Sequence, residues 1–389
     1  FSSAAGFFGN VGQTDYALAN EILNKIAHQI KRKQPHCRVL SLNWGPWDGG
    51  MVTPALKRLF AQNNVEVIPI EAGTQFLVDN LHMGNPETVQ LVVGSPFIAS
   101  GQKLTDTTLR THRVRRTLTE AANPFLQDHR IGHHAVLPMV CGVAWVVNVA
   151  EQLYPGYQIF RLENFKVLKG LVFDDTLADA YFLDLKEIAK DEAEIIFEAL
   201  IWSENDHGPV RYHYKTQLQL RRVLPEPDYN LMDYGSPQQA VVYAADDLYR
   251  TGMLFHGPSF RGVQRVLEIS PERLVLEGCL PQISDAQQGQ FPVQNFNPFV
   301  ADVQFQSLVI WARHFYQAGS LPLSCQLGEQ FKPLQFDETF YVVLEVQSST
   351  NTNLVTNLSS YDRQGQLCNR LTGAQVTISQ QLNPLFQRQ

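Results

Sequence analysis

The feature that most constrains the fold of this chain is a repeated order of elements, in which one long apolar helix precedes several strand-like runs. After Pro138, an apolar stretch continues to about residue 153 and is long enough for one buried helix. Aromatic and β-branched residues then dominate four runs that suit strands, at about 157–173, 180–185, 194–202 and 210–221. One long helix followed by antiparallel strands predicts an α+β unit.

The same order of elements returns in the C-terminal part of the chain. Residues 299–317 can form a second long helix, and Asp362-Arg363-Gln364-Gly365 is a hairpin turn signal between two later runs. Two such units predict a double hotdog, a repeat of architecture that is not visible as sequence similarity. Its strand-like runs lie at about 339–347, 353–361 and 366–378; the expected bounds are 112–224 for the first hotdog, 225–236 for a linker that holds Pro225-Glu226-Pro227, 237–383 for the second hotdog and 384–389 for a tail.

Residues 1–96 have a different, α/β pattern. Apolar residues recur at helical spacing over about 15–33, and Lys and Arg gather at the end of this helix, where the helix dipole favours cations. A short apolar run at 38–42 predicts a buried strand of a parallel sheet. Further helices are expected at about 53–63 and 71–81, a strand at 88–93, and a linker at 97–111, where the periodicity ends.

Composition and charge exclude several classes of function. The 389-residue chain is 44% hydrophobic and 18% charged, and its net charge of −7 argues against nucleic acid as a partner. Its five cysteines are scattered without a Cys-x-x-Cys pair, which predicts neither a disulfide framework nor a zinc site and fits a reducing, cytoplasmic setting. No apolar run approaches the roughly 18 residues of a membrane span, so the chain is expected to be soluble.

His129 and Asp302 are the candidate catalytic pair. A histidine with a carboxylate suits the elimination of water, which removes a proton from one atom and protonates a leaving group on the next. Asp302 lies in an apolar segment, so we expect it either to hold a proton or to have a partner, and Gln306, one helical turn further on, is a candidate partner. The alternatives are a satisfied core histidine, a carboxylate that complements a helix N-terminus, and a packing amide.

Three motifs resemble, in the same order, those of the dehydratase domains of polyketide synthases and polyunsaturated fatty acid synthases. The first is His129 with Pro138 nine positions later; the second is Leu-Phe-His-Gly-Pro-Ser-Phe at 254–260; the third, at 298–306, holds Asp302 and Gln306. The resemblance implies a double hotdog with His129, Asp302 and Gln306 as catalytic residues. It also implies that the substrate is contacted by Gly132, Pro138, His256, Gly257, Pro258 and Phe260.

Two positions depart from the family's motifs. The family usually has glycine four residues after the histidine, and this chain has His133 there, with Gly132 one step earlier. A side chain at this position could crowd a thioester. His256 stands where the family often has tyrosine and is expected to shape the pocket wall or a turn.

In the mechanism that the resemblance implies, neutral His129 takes the α-proton of a β-hydroxyacyl chain held on the phosphopantetheine arm of an acyl carrier protein. Asp302 protonates the departing hydroxyl, while backbone N–H groups near Gly132 and at the helix start after Pro138 polarise the thioester carbonyl. The dehydratase is expected to need no cofactor and no metal, and to form a homodimer. Two alternatives stay open, a non-catalytic double hotdog that serves dimerisation or scaffolding and a product-template-like cyclase.

Residues 1–95 resemble the C-terminal half of polyketide synthase ketoreductase domains, which are short-chain dehydrogenase/reductases. The resemblance rests on the segments 1–6, 12–20 and 42–51. It implies that the chain begins inside a domain of a multidomain megasynthase. Because the Gly-x-Gly-x-x-Gly turn and the family's lysine are missing, the NADPH site is expected to be incomplete and this part inactive and unstable. The implied catalytic residues are Ser3, Tyr16 and Asn20, and those on the nicotinamide side are Asn43, Gly45 and Pro46.

Overall fold

The computed structural model divides into two compact units, Phe1–Thr105 and Asp106–Gln389. The predicted helix at 53–63 and the predicted linkers at 97–111 and 225–236 lie largely outside the described residues, as does part of the expected tail. The domain bounds therefore stay predictions. The structure describes residues 1–10, 12–50, 52–53, 56–58, 60, 65–82, 88–94, 107–204, 209–227 and 241–386.

The N-terminal unit has a three-stranded parallel sheet, which confirms the α/β prediction for this part of the chain. Leu42 and Trp44 on the middle strand are buried and pack with Ile68. That strand begins and ends later than the predicted run at 38–42, because residues 41–44 are the ones that pair with the neighbouring strands. The elements are β1 (Ser2–Ser3), α1 (Ala4–Phe8), α2 (Thr14–Lys33), β2 (Ser41–Trp44), α3 (Ile70–His82) and β3 (Gln90–Val93).

Helix α2 leaves an apolar face uncovered. Leu18, Ile22 and Ile26 are 61%, 50% and 43% exposed, whereas Asn20, Asn24 and Ala27 on the other side are buried. Within the described residues, one face of this helix is therefore buried, and its second, apolar face is exposed.

The C-terminal unit is built on one 12-stranded sheet, in which paired neighbours run antiparallel. The sheet is continuous across the two halves, because Cys325 of the second half pairs with Phe165 of the first. In the first half the strands are β4 (Thr111–Arg116), β5 (Arg130–Ile131), β6 (His134–Val136), β7 (Gln158–Val167), β8 (Val172–Phe173), β9 (Ala180–Lys190), β10 (Glu194–Glu204) and β11 (Arg211–Arg221). The second half has β12 (Tyr243–Ala244), β13 (Val263–Ile269), β14 (Arg273–Gly278), β15 (Gly319–Gln330), β16 (Phe340–Ser349), β17 (Asn353–Asp362) and β18 (Leu367–Ser379).

Each half wraps its strands around one long helix, as the sequence predicts. The four α-helices of this unit within the described residues are α4 (Met139–Leu153), α5 (Ala245–Arg250), α6 (Asp285–Gln288) and α7 (Pro298–Tyr316). Helix α4 is buried over nearly its whole length, and it packs against α7. Helix α7 starts where the Asn297 side chain accepts hydrogen bonds from the N–H groups of Phe299 and Val300, with Pro298 at its first position. None of the helices in the described part of the chain is long and apolar enough to cross a membrane.

The sequence prediction missed several strands. Strand β15 joins the two halves, yet Gly319, Pro322 and Gly328 interrupt its apolar alternation. Strands β13 and β14 were also missed, and the predicted single run at 157–173 is two strands, β7 and β8, that belong to different sheets. Pairing with distant strands decides these elements more than local sequence does.

Candidate active site

His129 is held in one orientation and one tautomer by the short hairpin that follows it. The backbone N–H of Val136 donates to the carbonyl oxygen of His129 at 3.0 Å, and the ring atom Nδ1 of His129 lies 2.7 Å from the carbonyl oxygen of Val136. A carbonyl only accepts, so Nδ1 carries the proton and Nε2 keeps a free lone pair. Burial lowers the pKa of His129 from 6.5 to about 4. The ring is therefore neutral at neutral pH and can act as a base.

Asp302 lies on α7 and is 6% exposed, with two hydrogen-bonding partners at one oxygen. Gln306 Nε2 donates to Oδ2 at 3.0 Å, and His256 Nε2 lies 3.2 Å from the same oxygen. Burial alone raises the pKa of Asp302, but the charge and hydrogen bond of His256, with the Gln306 amide, outweigh burial and lower it. Of the two sequence expectations for Asp302, a proton or a partner, the structure supplies the partner.

A chain of hydrogen bonds fixes the Gln306 amide so that its nitrogen faces Asp302. The N–H of Val263 donates to the Tyr249 hydroxyl oxygen at 3.0 Å, so that hydroxyl donates its own hydrogen to Gln306 Oε1 at 2.8 Å. Gln306 Nε2 then donates both to Asp302 and to the carbonyl oxygen of Phe260, the latter at 2.8 Å. The spacing of Asp302 and Gln306 predicts their contact, whereas nothing in the sequence pattern pointed to Tyr249.

The segment around His256 is tied to the His129 segment by Asp128. The N–H of Gly257 donates to the Asp128 carbonyl oxygen at 2.7 Å, and Asp128 Oδ2 accepts from the N–H and the hydroxyl of Ser259 at 3.0 and 2.6 Å. These bonds hold the first and second motifs together. Sequence reasoning gave Asp128 and Ser259 no role, although Asp128 directly precedes His129 and Ser259 lies inside the second motif.

Three titratable groups from distant parts of the sequence thus meet in one buried site. His129, His256 and Asp302 each place one nitrogen or oxygen within 4.8 Å of the others, and the two imidazole rings lie 5.5 Å apart. Two histidines and a carboxylate can also hold a transition metal, so the absence of a metal stays a prediction. Of the other expected contact residues, Phe260 packs 5.5 Å from the His129 ring, Pro258 starts the turn Pro258–Phe260, and Pro138 precedes α4.

Gly132 has a different role from the one that the sequence suggests. Its N–H donates to the carbonyl oxygen of Leu385 at 2.7 Å, so it is not available to polarise a thioester. Its φ of +63° makes it the turn residue of the hairpin between β5 and β6, a conformation that favours glycine. His133 is exposed on this hairpin. Gly132, the residue with the positive φ, therefore lies one position before His133, where the family usually has glycine.

The residues expected to serve a ketoreductase are used mainly to build the N-terminal unit. Ser3 Oγ accepts from the N–H of Ala5 at 3.2 Å and begins α1, and Asn20 Nδ2 donates to the Tyr16 carbonyl oxygen at 2.9 Å. Tyr16 is 44% exposed. The structure therefore does not bring these three side chains into a hydrogen-bonded group.

The expected nicotinamide side is likewise occupied by internal bonds. Asn43 is fully buried: its Oδ1 accepts from Ser2 and Asn24, and its Nδ2 donates to the Leu91 carbonyl oxygen at 3.3 Å. Gly45 N–H donates to Val93 O, and Pro46 O accepts from Ile68 N–H, both at 2.7 Å. These bonds engage the Asn43 side chain, the Gly45 N–H and the Pro46 carbonyl oxygen within the unit, so these groups do not by themselves fit the nicotinamide of NADPH.

Comparison with protein families matches three stretches of the chain. Residues 1–49 match the KR domain, residues 100–198 match the polyketide synthase dehydratase domain, and residues 236–385 match the polyketide synthase dehydratase N-terminal domain. The order of the matches is the order that the sequence motifs predict.

Curated relatives are large synthases. A polyunsaturated fatty acid synthase polypeptide of Thraustochytrium sp. is 32% identical over 370 residues, which cover 94% of this chain and 13% of that protein. Polyketide synthase GfsE of Streptomyces halstedii is 32% identical over 207 residues, or 48% of this chain and 5% of that protein. The chain thus spans only a small part of the length of these relatives.

Solved dehydratase domains share the fold of the C-terminal unit. A dehydratase domain of a trans-AT polyketide synthase from Brevibacillus brevis superposes with a TM-score of 0.54 at 18% identity, covering 72% of this chain and 96% of that one. The dehydratase domain from the CurJ module of curacin polyketide synthase gives a TM-score of 0.54 at 14% identity, covering 74% and 98%.

The fold and the family matches together define the C-terminal unit as a double-hotdog dehydratase domain of the polyketide synthase type. A ketoreductase-domain segment precedes it. Over these stretches the chain is similar to polyketide and polyunsaturated fatty acid synthases, and the dehydratase class is that of hydro-lyases.

Proposed function

We propose that the C-terminal unit eliminates water from a 3-hydroxyacyl thioester, carried on the phosphopantetheine arm of an acyl carrier protein, to give the trans-2-enoyl thioester. His129 Nε2 removes a proton from the α-carbon, and the electron pair of that C–H bond forms the double bond. The bond from the β-carbon to the hydroxyl breaks, and Asp302 supplies the proton with which the hydroxyl leaves as water. The site's protons balance when His129 later returns its proton to Asp302.

The observation that carries this proposal is the state of His129 beside Asp302. Nδ1 is committed to the Val136 carbonyl oxygen at 2.7 Å, and burial lowers the pKa of the ring to about 4. A neutral imidazole with a fixed free nitrogen supplies the base that elimination requires, and the carboxyl group of Asp302 and a second histidine lie within 4.8 Å of it.

The thioester carbonyl needs a donor other than Gly132. The N-terminus of α4, which directly follows Pro138, remains the candidate, because the first N–H groups of a helix lack intrahelical partners and carry partial positive charge. Gly257, Pro258 and Phe260 keep their proposed places around the substrate. In this proposal Gln306 acts through its hydrogen bond to Asp302.

The setting that we propose is a cytoplasmic megasynthase. An upstream ketoreductase makes the 3-hydroxyacyl thioester, and the dehydratase consumes it without a cofactor. The synthase works as a homodimer with its carrier protein. The ketoreductase segment at residues 1–49 supports this order of reactions.

The test is the dehydration of a 3-hydroxyacyl pantetheine thioester by the full chain, with the enoyl product measured by chromatography. His129→Asn keeps an N–H near the position of Nδ1 for the Val136 carbonyl but has no basic nitrogen, so we expect a loss of at least about a hundredfold in kcat. His133→Ala, in the exposed part of the same hairpin, is the matched control and should retain activity. Turnover by His129→Asn at the wild-type rate would contradict the proposal.

A further inference from the structure

The last described segment of the chain, Gln380–Phe386, packs onto the two loops that carry the active-site histidines. It consists of two short turns, Gln380–Leu382 and Pro384–Phe386, and is called the C-terminal strap below. The sequence predicts only a tail from residue 384 onward, yet Phe386 is fully buried. The chemistry proposed above gives this segment no role.

The first contact of the C-terminal strap is with the hairpin that holds His129. The Leu385 carbonyl oxygen accepts a hydrogen bond from the Gly132 N–H at 2.7 Å. Gly132 is the turn residue between β5 and β6, and Val136 at the end of β6 supplies the carbonyl oxygen that orients the His129 ring. A hydrogen bond at the turn therefore restrains the hairpin on which that orientation depends.

The second contact is with the loop that holds His256. The ring centroids of Phe386 and Phe255 lie 4.6 Å apart, and the Phe255 ring stacks on His256 at 4.0 Å. The same Phe255 ring lies 5.1 Å from the His129 ring. One aromatic ring thus separates Phe386 from both histidines. Because protein interiors are close-packed, loss of the Phe386 ring lets Phe255 shift, and the two imidazole rings shift with it.

The second half of the unit holds the C-terminal strap in place. Asn383 Oδ1 accepts a hydrogen bond from Arg313 Nη1 at 2.7 Å, and Asn383 Nδ2 donates to the Gln317 carbonyl oxygen at 2.7 Å, both at the C-terminal end of α7. Gly319, the first residue of β15, faces the Phe386 ring, and a Cβ added to Gly319 would come within 2.8 Å of that ring. The strap is thus fixed to α7 and β15, and its end restrains the loops of the active site.

We propose that the C-terminal strap positions the active site: it holds the two imidazole rings beside Asp302, and the elimination slows when the strap is displaced. This inference rests on the proposed function. Leu385 and Phe386 are positioning residues, which act through the hairpin and the Phe255 ring. A displacement of about 1 Å at a reacting group can lower a rate by about a hundredfold, because the acid and the base must meet the substrate in one geometry.

Two substitutions displace the strap and leave every residue of the proposed chemistry intact. Phe386→Ala removes the ring, and Gly319→Ala places a Cβ where the ring packs. We expect each to lower kcat at least about tenfold with little change in KM, because the acid and base are displaced while the groups that bind the substrate remain. Phe386→Leu, which refills most of the space, should recover most of the wild-type kcat.

Hydrogen exchange of the full chain, followed by mass spectrometry, reports on the hairpin itself. Residues 130–136 should exchange faster in Phe386→Ala and in Gly319→Ala than in wild type, because the Gly132 N–H loses its acceptor when the strap moves.

Phe197→Ala is the matched control for stability. Phe197 is as fully buried as Phe386, but its ring lies 5.9 Å from that of Tyr154, at the opposite end of α4 from Pro138. Its loss should lower the thermal unfolding temperature without lowering kcat. Phe197→Leu takes its place if thermal unfolding shows that Phe197→Ala is not folded, and Gly319→Ala decides the question if Phe386→Ala is not folded.

The outcomes separate this inference from the proposed function. If folded Phe386→Ala and Gly319→Ala keep the wild-type kcat, or if the Phe197 variant loses as much kcat as they do, the strap does not position the site and the inference is overturned. If wild type itself gives no enoyl product, the proposed function fails. Hydrogen exchange at residues 130–136 then decides the inference, which unaltered exchange in both strap variants would overturn.

Discussion

The contact between Asp128 and Ser259 gives the most quantitative prediction, because it joins the segments that carry His129 and His256. Asp128 Oδ2 accepts from the Ser259 N–H at 3.0 Å and from its hydroxyl at 2.6 Å, and Ser259 is 2% exposed. Hydrogen bonds to a charged acceptor contribute roughly 1.5–3 kcal/mol each. Asp128→Ala loses both bonds and should cost about 3 kcal/mol, whereas Ser259→Ala loses one and should cost about 1.5 kcal/mol.

The two substitutions should not be additive. Once Asp128 is alanine, the Ser259 hydroxyl has lost this acceptor, so the double variant should resemble Asp128→Ala and give a coupling energy of about 1.5 kcal/mol. Urea unfolding followed by tryptophan fluorescence measures this, since Trp145 and Trp311 are buried in the same unit. Because His129 and His256 flank this contact, kcat should fall together with stability. Gln127→Ala, an exposed neighbour, is the control, and additive free energies would refute the reasoning.

Three further predictions concern pH, metals and the C-terminal end of the described chain. Folding lowers the pKa of His129, so the unfolded chain binds this proton first and the free energy of unfolding falls by about 3 kcal/mol as pH drops from 6.5 to 4. Urea unfolding of wild type should show this loss, and that of His129→Asn should not. Zn²⁺ should inhibit competitively with the thioester by binding His129, His256 and Asp302, and a chelator should restore activity; unaltered rates at saturating Zn²⁺ would contradict the geometry. Phe386→Ala should lower the free energy of unfolding by about 3 kcal/mol, because this fully buried ring packs on Phe255 at 4.6 Å. It should also lower kcat, because the neighbouring Leu385 carbonyl oxygen holds Gly132. Unaltered thermal unfolding would count against this prediction.

The local parts of this structure could be predicted from the sequence. The apolar run after Pro138 becomes α4, and the four-residue spacing of Asp302 and Gln306 becomes a hydrogen bond of 3.0 Å. Both features depend on neighbours within one or two helical turns, which sequence periodicity reports directly.

The long-range contacts could not be predicted in this way. Gly132 was assigned a free N–H because nothing in its neighbourhood points to Leu385, which lies at the far end of the chain. His256 was assigned to the pocket wall because its contact with Asp302 arises only when its loop docks on α7. Strand β15 was missed because its pairing with β7 and β18, and not its own interrupted pattern, makes it a strand.

The central claim is that His129 and the carboxylate of Asp302 together remove water from a carrier-bound chain. Intact-protein mass spectrometry of a 3-hydroxyacyl carrier protein, incubated with the full chain, measures this directly as the loss of one water from the acyl group. We predict that wild type produces the enoyl carrier protein and that Asp302→Asn, which keeps the shape and the oxygen that Gln306 binds but cannot donate the acidic proton, produces it at least about a hundredfold more slowly. An Asp302→Asn rate equal to that of wild type, or no water loss with wild type, would contradict the account.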